Sequence, residues 1–320
     1  MDTPFFDALI DDFGIWQHSD GQNILVEEGY ALDDAARGLL VCLALKKHRQ
    51  AEVLFNYLRL SCQRTGFNGF ATNQRKFYQY PASDDATGQV VWAMGYAYSL
   101  NFHAQQALAV IDGCRPAVKK FRHLRGTAYA LLGAIYVDKD LAKQLADQML
   151  GYFAGASDDW LWPEPVMTYG NGIIPYALLR YGLASSDRQV SQLGLRVCDF
   201  VQGKCQMNNR LLAPIGNEGW LPKSALSVPE YSQQPIDSAY MIWAWLAAYQ
   251  CFGQKKHLAL AKKWFGWFEG INIKHEKMYD PLTLKCFDGI DHSGVHGHSG
   301  AESNICLLLS LQLLNTKTTI

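Results

Sequence analysis

The chain has 320 residues, 49% of them hydrophobic, which is ample for a large core, and a formal charge of −1 with its lysines scattered in pairs such as Lys46-Lys47 and Lys262-Lys263. That balance excludes an extended basic surface for nucleic acid, and no apolar run approaches the ~20 residues of a membrane span. The eight cysteines show no C-x-x-C or framework spacing and read as reduced thiols of a cytoplasmic protein, and residues 1–20, which hold acids and no long apolar core, do not read as a signal peptide.

Helical periodicity dominates. In chain order it predicts helices near 4–12, 32–48, 50–63, 86–100, 103–121, 124–137, 139–153, 171–183, 187–203, 235–252, 256–269 and 301–314, with no strand ladder and only short extended pieces in the polar loops. The helices are of two kinds. Helix 139–153 carries Leu141, Leu145, Met149 and Phe153 as one stripe, with Lys139, Lys143 and Asp147 elsewhere; 50–63, 187–203 and 256–269 follow the same pattern. By contrast "LRGTAYALLGAIYV" (124–137) and "AYMIWAWLAAY" (239–249) are apolar on nearly all faces, the pattern of a helix buried on every side. The two kinds alternate, which predicts helical hairpins with an inner and an outer member. Six such hairpins closed in a ring make an all-α, α/α-toroid fold, as a single domain over 1–320. No strict 20–50-residue repeat is present, so an open solenoid is excluded.

The inner helices would be 32–48, 86–100, 124–137, 171–183, 235–252 and 301–314. In an alternating toroid they run parallel and their starts share one rim. Those starts carry Asp33-Asp34, Asp84-Asp85, Arg122-His123, Tyr169 to Asn171, Gln233-Gln234 with Asp237, and Gly300 to Glu302. Helix capping, at ~1 kcal/mol each, accounts for one acid per helix. It accounts less well for doubled acids and for the aromatics beside them.

The segments "GYALDDAARGL", "DDATGQVVWAMGYA", "GTAYALLGAIY", "MTYGNGIIPYALL", "QQPIDSAYM", "WFEGIN", "CFDGI" and "SGAES" span Gly29 to Leu311 in an order that resembles the six-hairpin superfamily of carbohydrate-active proteins. A closer resemblance is to helical domains associated with glycosyltransferases in bacterial polysaccharide loci. The superfamily holds hydrolases, lyases and epimerases, so the resemblance implies a sugar or glycan substrate without fixing the reaction. It also implies a glycosyltransferase as a partner. The closer group has an amide residue before Gly-Ala-Glu where this chain has Ser299.

Glycosidic cleavage needs one carboxylic acid for the leaving oxygen and a second carboxylate ~5–9 Å away. Acids at the starts of neighbouring helices, whose axes pack ~8–10 Å apart, meet that requirement. Asp34 and Asp85 are the first candidates, followed by Asp237 and Glu302. Arg37, one turn after Asp33 and Asp34, either pairs with them or binds an acidic sugar. Substrate contacts are expected from Trp16 and His18 in "GIWQHSD", from Tyr30, and from Trp160, Trp162, Glu164, Tyr169 and Asn171 in "DDWLWPEPVMTYGN". Trp220 in "GNEGWLPK", Gln234 and His298 complete the set, because flat aromatic faces with adjacent amides and acids suit sugar rings. The competing role for each Trp is to pin a long loop. His292, His296 and His298 allow a zinc reading, but no Cys cluster supports it, and no metal or cofactor is expected. No dinucleotide, phosphate-loop or nucleophile-elbow motif is present. The expected activity is glycoside hydrolysis by paired carboxylates. The alternatives are sugar epimerisation of the N-acylglucosamine 2-epimerase type, with His18, His123, His292 or His298 as proton shuttle, and a non-catalytic glycan-binding or scaffolding role.

Overall fold

The computed structural model describes residues 1–63, 66–208 and 211–320. The chain groups into two compact units, the first holding Met1–Met149, Gly300–Ile305 and Ile320, the second Leu150–Ser299 and Cys306–Thr319.

In the first unit a short α1 (Pro4–Leu9) precedes α2 (Leu32–Ala44), α3 (His48–Leu60), α4 (Asp84–Ser99), α5 (Ala104–Val118) and α6 (Leu124–Val137). Helix α7 (Lys139–Tyr152) follows α6 after a single residue. Two small antiparallel sheets lie between helices: β1 (Tyr30–Ala31) pairs with β4 (Phe70–Ala71), and β2 (Cys62–Gln63) with β3 (Gly66–Phe67). The helices alternate in burial as the sequence pattern requires. All residues from Leu124 to Ala134 of α6 are buried, whereas α3 buries only Ala51, Leu54, Phe55, Tyr57 and Leu58.

Helices α4 and α6 pack backbone to backbone. A Cβ on Gly126 would stand 2.7 Å from the Asp84 backbone, and one on Gly133 would fall on the Val91 carbonyl. Seven residues along one helix match seven along the other in the same direction, so the two run parallel with their starts level. Gly88 and Gly95 supply the same clearance from the α4 side.

The second unit contains α8 (Ile173–Ser185), α9 (Arg188–Cys205), α10 (Pro235–Phe252), α11 (Lys255–Phe265) and most of α12 (Ala301–Thr316), with β5 (Val166–Met167) paired antiparallel to β6 (Leu221–Pro222). Gly172 lies against Tyr240 and Met241, and Cys251 Sγ reaches Leu179 O at 3.4 Å, so α8 and α10 are parallel. Trp243 Nε1 donates to Ser310 Oγ at 3.0 Å and Gln250 Nε2 to Lys317 O at 3.4 Å. Equal steps of seven on both segments make α10 and α12 parallel as well. Helix α10 is buried from Pro235 to Ala248, while α9 and α11 bury one face each.

Several helices end earlier than their periodicity predicts, α2 and α11 by four residues each. α2 stops at Ala44 because Lys46 takes a left-handed conformation, φ 58°, which breaks the helical ladder before α3 begins. α11 stops at Phe265, where Gly266 N is shared between the Lys262 and Lys263 carbonyls and Ile271 N folds back on Gly266 O. Among the described residues no helix is long and apolar enough to cross a membrane.

Candidate functional site

The strongest polar constellation lies in the first unit, where α2 and α12 begin. Helix α2 has Ala31 as its N-cap, with extended φ/ψ and no side-chain cap, so Asp33 and Asp34 stand inside the first turn. Carboxylates there meet the positive end of the helix dipole. Arg37 is one turn further on and folds back over both acids. Its Nη2 donates to Asp33 Oδ2 at 2.9 Å and to Asp34 Oδ1 at 3.0 Å, and its Nε to Asp33 O at 3.3 Å. Its Nη1 donates to Glu302 Oε2, from a residue 265 positions away. The start of α12 is fixed by Ala301 N donating to Gln17 O at 2.8 Å and by Asn304 Nδ2 donating to Gly300 O at 2.6 Å.

One guanidinium thus gathers three carboxylates from two helices. The Arg37 side chain is 2% exposed and Asp34 10%, but Asp33 and Glu302 remain 36% and 37% open. Three acids and one base meet here, and Tyr57 lies close enough to feel two of the acids. Burial first, then the charges of Asp33 and Asp34, push its phenol far above the ordinary tyrosine range.

The second constellation joins the level starts of α4 and α6. Ser83 is the N-cap of α4, accepting from Ala86 N at 3.1 Å, so Asp84 is free to reach across. Its Oδ2 accepts from Arg122 N at 3.0 Å, His123 N at 3.3 Å and His123 Nδ1 at 2.7 Å. The imidazole, 76% exposed, is thereby oriented by a carboxylate with its Nε2 directed elsewhere. Asp85 is half-buried in the same first turn.

Capping does not explain the acids in the expected way. None of Asp33, Asp34, Asp84, Asp85, Asp237 or Glu302 is the N-cap of its own helix. Two of them serve a neighbouring start instead. Asp84 holds the segment leading into α6, and Asp237, in the second unit, accepts from Asn171 N at 3.3 Å just before α8. Asp237 and Asn171 are 5% and 3% exposed.

The structure places the remaining predicted residues as follows. Asp34, Arg37 and Glu302 are in direct contact. Trp16 stacks on Tyr30 with centroids 4.1 Å apart, and Tyr30 is fully buried with its hydroxyl donating to Asp11 Oδ2 at 2.7 Å. Trp160 and Trp162 are also buried, the former donating to Glu164 O at 2.9 Å. Those three rings pin loops in place. Tyr169 and Trp220 are exposed, with Trp220 Nε1 donating to Asn217 Oδ1 at 3.1 Å. Gln234 is the half-buried N-cap of α10. His18 and His298 are exposed. His292 and His296 go to separate acids, Glu218 at 2.9 Å and Asp291 at 3.1 Å. Ser299 is buried and donates to Cys286 O at 2.6 Å.

Sequence reasoning did not foresee the role of Asp84 or its pairing with His123. The signal was present in the spacing: Gly88 and Gly95, like Gly126 and Gly133, are seven residues apart, which marks two helices in backbone contact whose starts must then be level. Arg125, 5% exposed in the otherwise apolar α6, is a second buried arginine beside these acids in sequence and register.

No protein-family description matches the chain, and no curated protein matches it in sequence. Solved structures do. A sugar epimerase from a ruminal bacterium superposes with a TM-score of 0.76 at 12% identity, over 99% of this chain and 96% of that one. The fold is an α/α toroid. Cellobiose 2-epimerase from Bacillus thermoamylovorans gives 0.73 at 12%, over 97% and 95%. An α-1,6-mannanase from Salegentibacter, an inactive variant with two consecutive aspartates replaced by asparagine and bound to α-1,6-mannotriose, gives 0.66 at 10%, over 97% and 95%. At such identities the likeness is one of fold alone, a fold shared with these epimerases and this mannanase.

Proposed function

We propose that the chain is a glycan-processing enzyme whose reaction is glycoside hydrolysis at the Arg37-centred carboxylates. The supporting observation is the convergence of Asp33, Asp34 and Glu302 on one buried guanidinium, with Asp33 and Glu302 still open to solvent. Two carboxylates held on the two ends of one guanidinium stand roughly 5–8 Å apart, within the range glycosidases use. The glycosidic transition state carries positive charge on the sugar ring. Carboxylates beside a half-open surface stabilise that charge more than they stabilise the neutral substrate, which is the requirement for catalysis.

In this reading Asp34, sealed under Arg37, positions the guanidinium. Asp33 and Glu302 supply the anionic side of the reaction, as general base toward water or as nucleophile. Asp85, in the first turn of the adjacent α4, donates the proton to the leaving-group oxygen. The bond from the anomeric carbon to that oxygen breaks as the proton arrives, and water delivers the new hydroxyl. The test is turnover of an oligosaccharide panel by wild type, Glu302→Gln and Asp85→Asn. Loss of 10²–10⁴-fold in either variant with an unchanged melting temperature supports the assignment; full activity in both overturns it.

A second reading rests on a different observation. Asp84 fixes His123 through Nδ1 at 2.7 Å, the arrangement of a general base with an orienting carboxylate. Such a base moves the proton at the carbon next to an aldose carbonyl, which is epimerisation, and the sugar epimerases share this fold. Incubation with aldoses in D2O separates the two: epimerisation exchanges a carbon-bound proton for deuterium, and hydrolysis creates new reducing ends.

A further inference from the structure

Residues 66–82 form a hairpin that the helical periodicity does not reveal. Phe70 is in β4 and pairs with Ala31 of β1 on one side; on the other, Ala71 bridges Phe77 and Tyr78 N donates to Phe70 O at 3.0 Å. Side chains alternate across such a ribbon. The inward face is Ala71, which is buried, and Phe77, which packs against Phe13 and Tyr57 with centroids 5.9 and 5.4 Å away. Phe70 and Tyr78 lie opposite each other across the ribbon and are 42 and 53% exposed; Tyr80, past a one-residue bulge between the Ala71–Phe77 and Asn68–Pro81 bridges, is 67% exposed. Three large exposed rings on one ribbon are far more apolar surface than a solvated hairpin needs.

The hairpin is fastened to the site at both ends. Leu32 N, one residue before Asp33, donates to Gly69 O at 2.9 Å, beside Phe70. After Tyr80 only Pro81, Ala82 and Ser83 intervene before Asp84-Asp85 opens α4. Gly29, at φ 70°, lies so close under the Ala71 carbonyl that no side chain fits between. The aromatic face is therefore held rigidly against the starts of both helices that carry the doubled acids.

We propose that Phe70, Tyr78 and Tyr80 form a stacking platform for sugar rings of a glycan chain, so that the substrate is an oligosaccharide or polymer and not a free monosaccharide. The inference rests on the reading that the chain acts on glycans. Sugar rings present C–H faces to aromatic rings and hydroxyls to water, and tyrosine combines a flat apolar body with a polar tip at little cost in side-chain entropy. Continuity of the platform with the carboxylates through Gly69 and Pro81–Ser83 gives a bound chain one path, along the hairpin toward the start of α2 and α4.

The test is native electrophoresis of the full chain through gels containing soluble mannan, xylan, β-glucan or dextran. Wild type is expected to be retarded by at least one polymer. The double variant Tyr78→Ala/Tyr80→Ala is expected to bind that polymer roughly tenfold or more weakly, each ring contributing a stacking contact, and Tyr80→Ala alone to lose part of it. Tyr78→Phe/Tyr80→Phe keeps both ring faces and is expected to retain retardation. Equal retardation of wild type and the double alanine variant overturns the platform, as does retardation in none of the gels. A dimer in sedimentation that the alanine variant dissolves assigns the face to a second copy and also overturns it. Retardation without any turnover leaves the platform standing and removes the catalytic reading; turnover without retardation does the reverse.

Discussion

Replacing Arg37 by Met keeps most of the side-chain volume and removes the one cation that Asp33, Asp34 and Glu302 share. Breaking a buried ion pair from one side costs ~3–5 kcal/mol, because the partner charge is left without compensation. Only Asp34 is sealed in this way; Asp33 and Glu302 are more than a third open, and water screens them once the guanidinium is gone. The expected loss is therefore about 2–4 kcal/mol, read as a fall of roughly 3–6 °C in the melting transition. Urea and thermal melts at pH 7 provide the assay. Arg37→Lys should fall between wild type and Arg37→Met, since an ammonium cannot bridge both helices as a fork. An Arg37→Met variant that melts within 1 °C of wild type at pH 7 would refute the reasoning, for the acids would then be shown not to depend on their shared cation.

Gly133→Ala places a methyl on the Val91 carbonyl and should cost about 3 kcal/mol or more by forcing α4 and α6 apart, whereas Gly113→Ala on α5, with nothing within 4 Å, should be neutral or stabilising; a thermal melt of the pair decides. Ser83→Ala removes the α4 cap and should cost ~1 kcal/mol in the same melts. His257 is fully buried and stacked on Trp245 at 5.6 Å, and burial above all holds its imidazole below the ordinary range, with the Ala248 carbonyl and Asp199 pulling the other way. The folded state therefore prefers the neutral ring: its contribution is complete above the unfolded value of ~6.5 and declines as pH falls below it, a decline that urea midpoints across pH 5–8 should show in wild type and not in His257→Phe.

Helix positions were legible because burial imposes a period. The all-apolar stretch 124–137 became the buried α6 without a shift at either end, and 139–153 became the one-sided α7. The acids at helix starts were legible as a group, and the pairing of Arg37 with Asp33 and Asp34 follows from their spacing of four and three. Its third partner, Glu302, depends on how α2 and α12 come together, which local pattern does not encode. The aromatics misled for a physical reason. Composition does not separate a ring that stacks on a sugar from one that pins a loop, and Tyr30, Trp160 and Trp162 are of the second sort. Phe70, Tyr78 and Tyr80 escaped notice because a hairpin with two-residue ladders leaves almost no period to detect.

The central claim is that the carboxylates on Arg37 transform glycans. Its most direct measurement is proton NMR of a panel of oligosaccharides incubated in D2O with wild type and with Glu302→Gln. The account predicts new reducing-end anomeric signals with wild type, without deuterium entering carbon-bound positions, and a loss of 10²–10⁴-fold in their rate with the variant. Unchanged spectra for wild type across the panel, or equal rates for the two proteins, would contradict it.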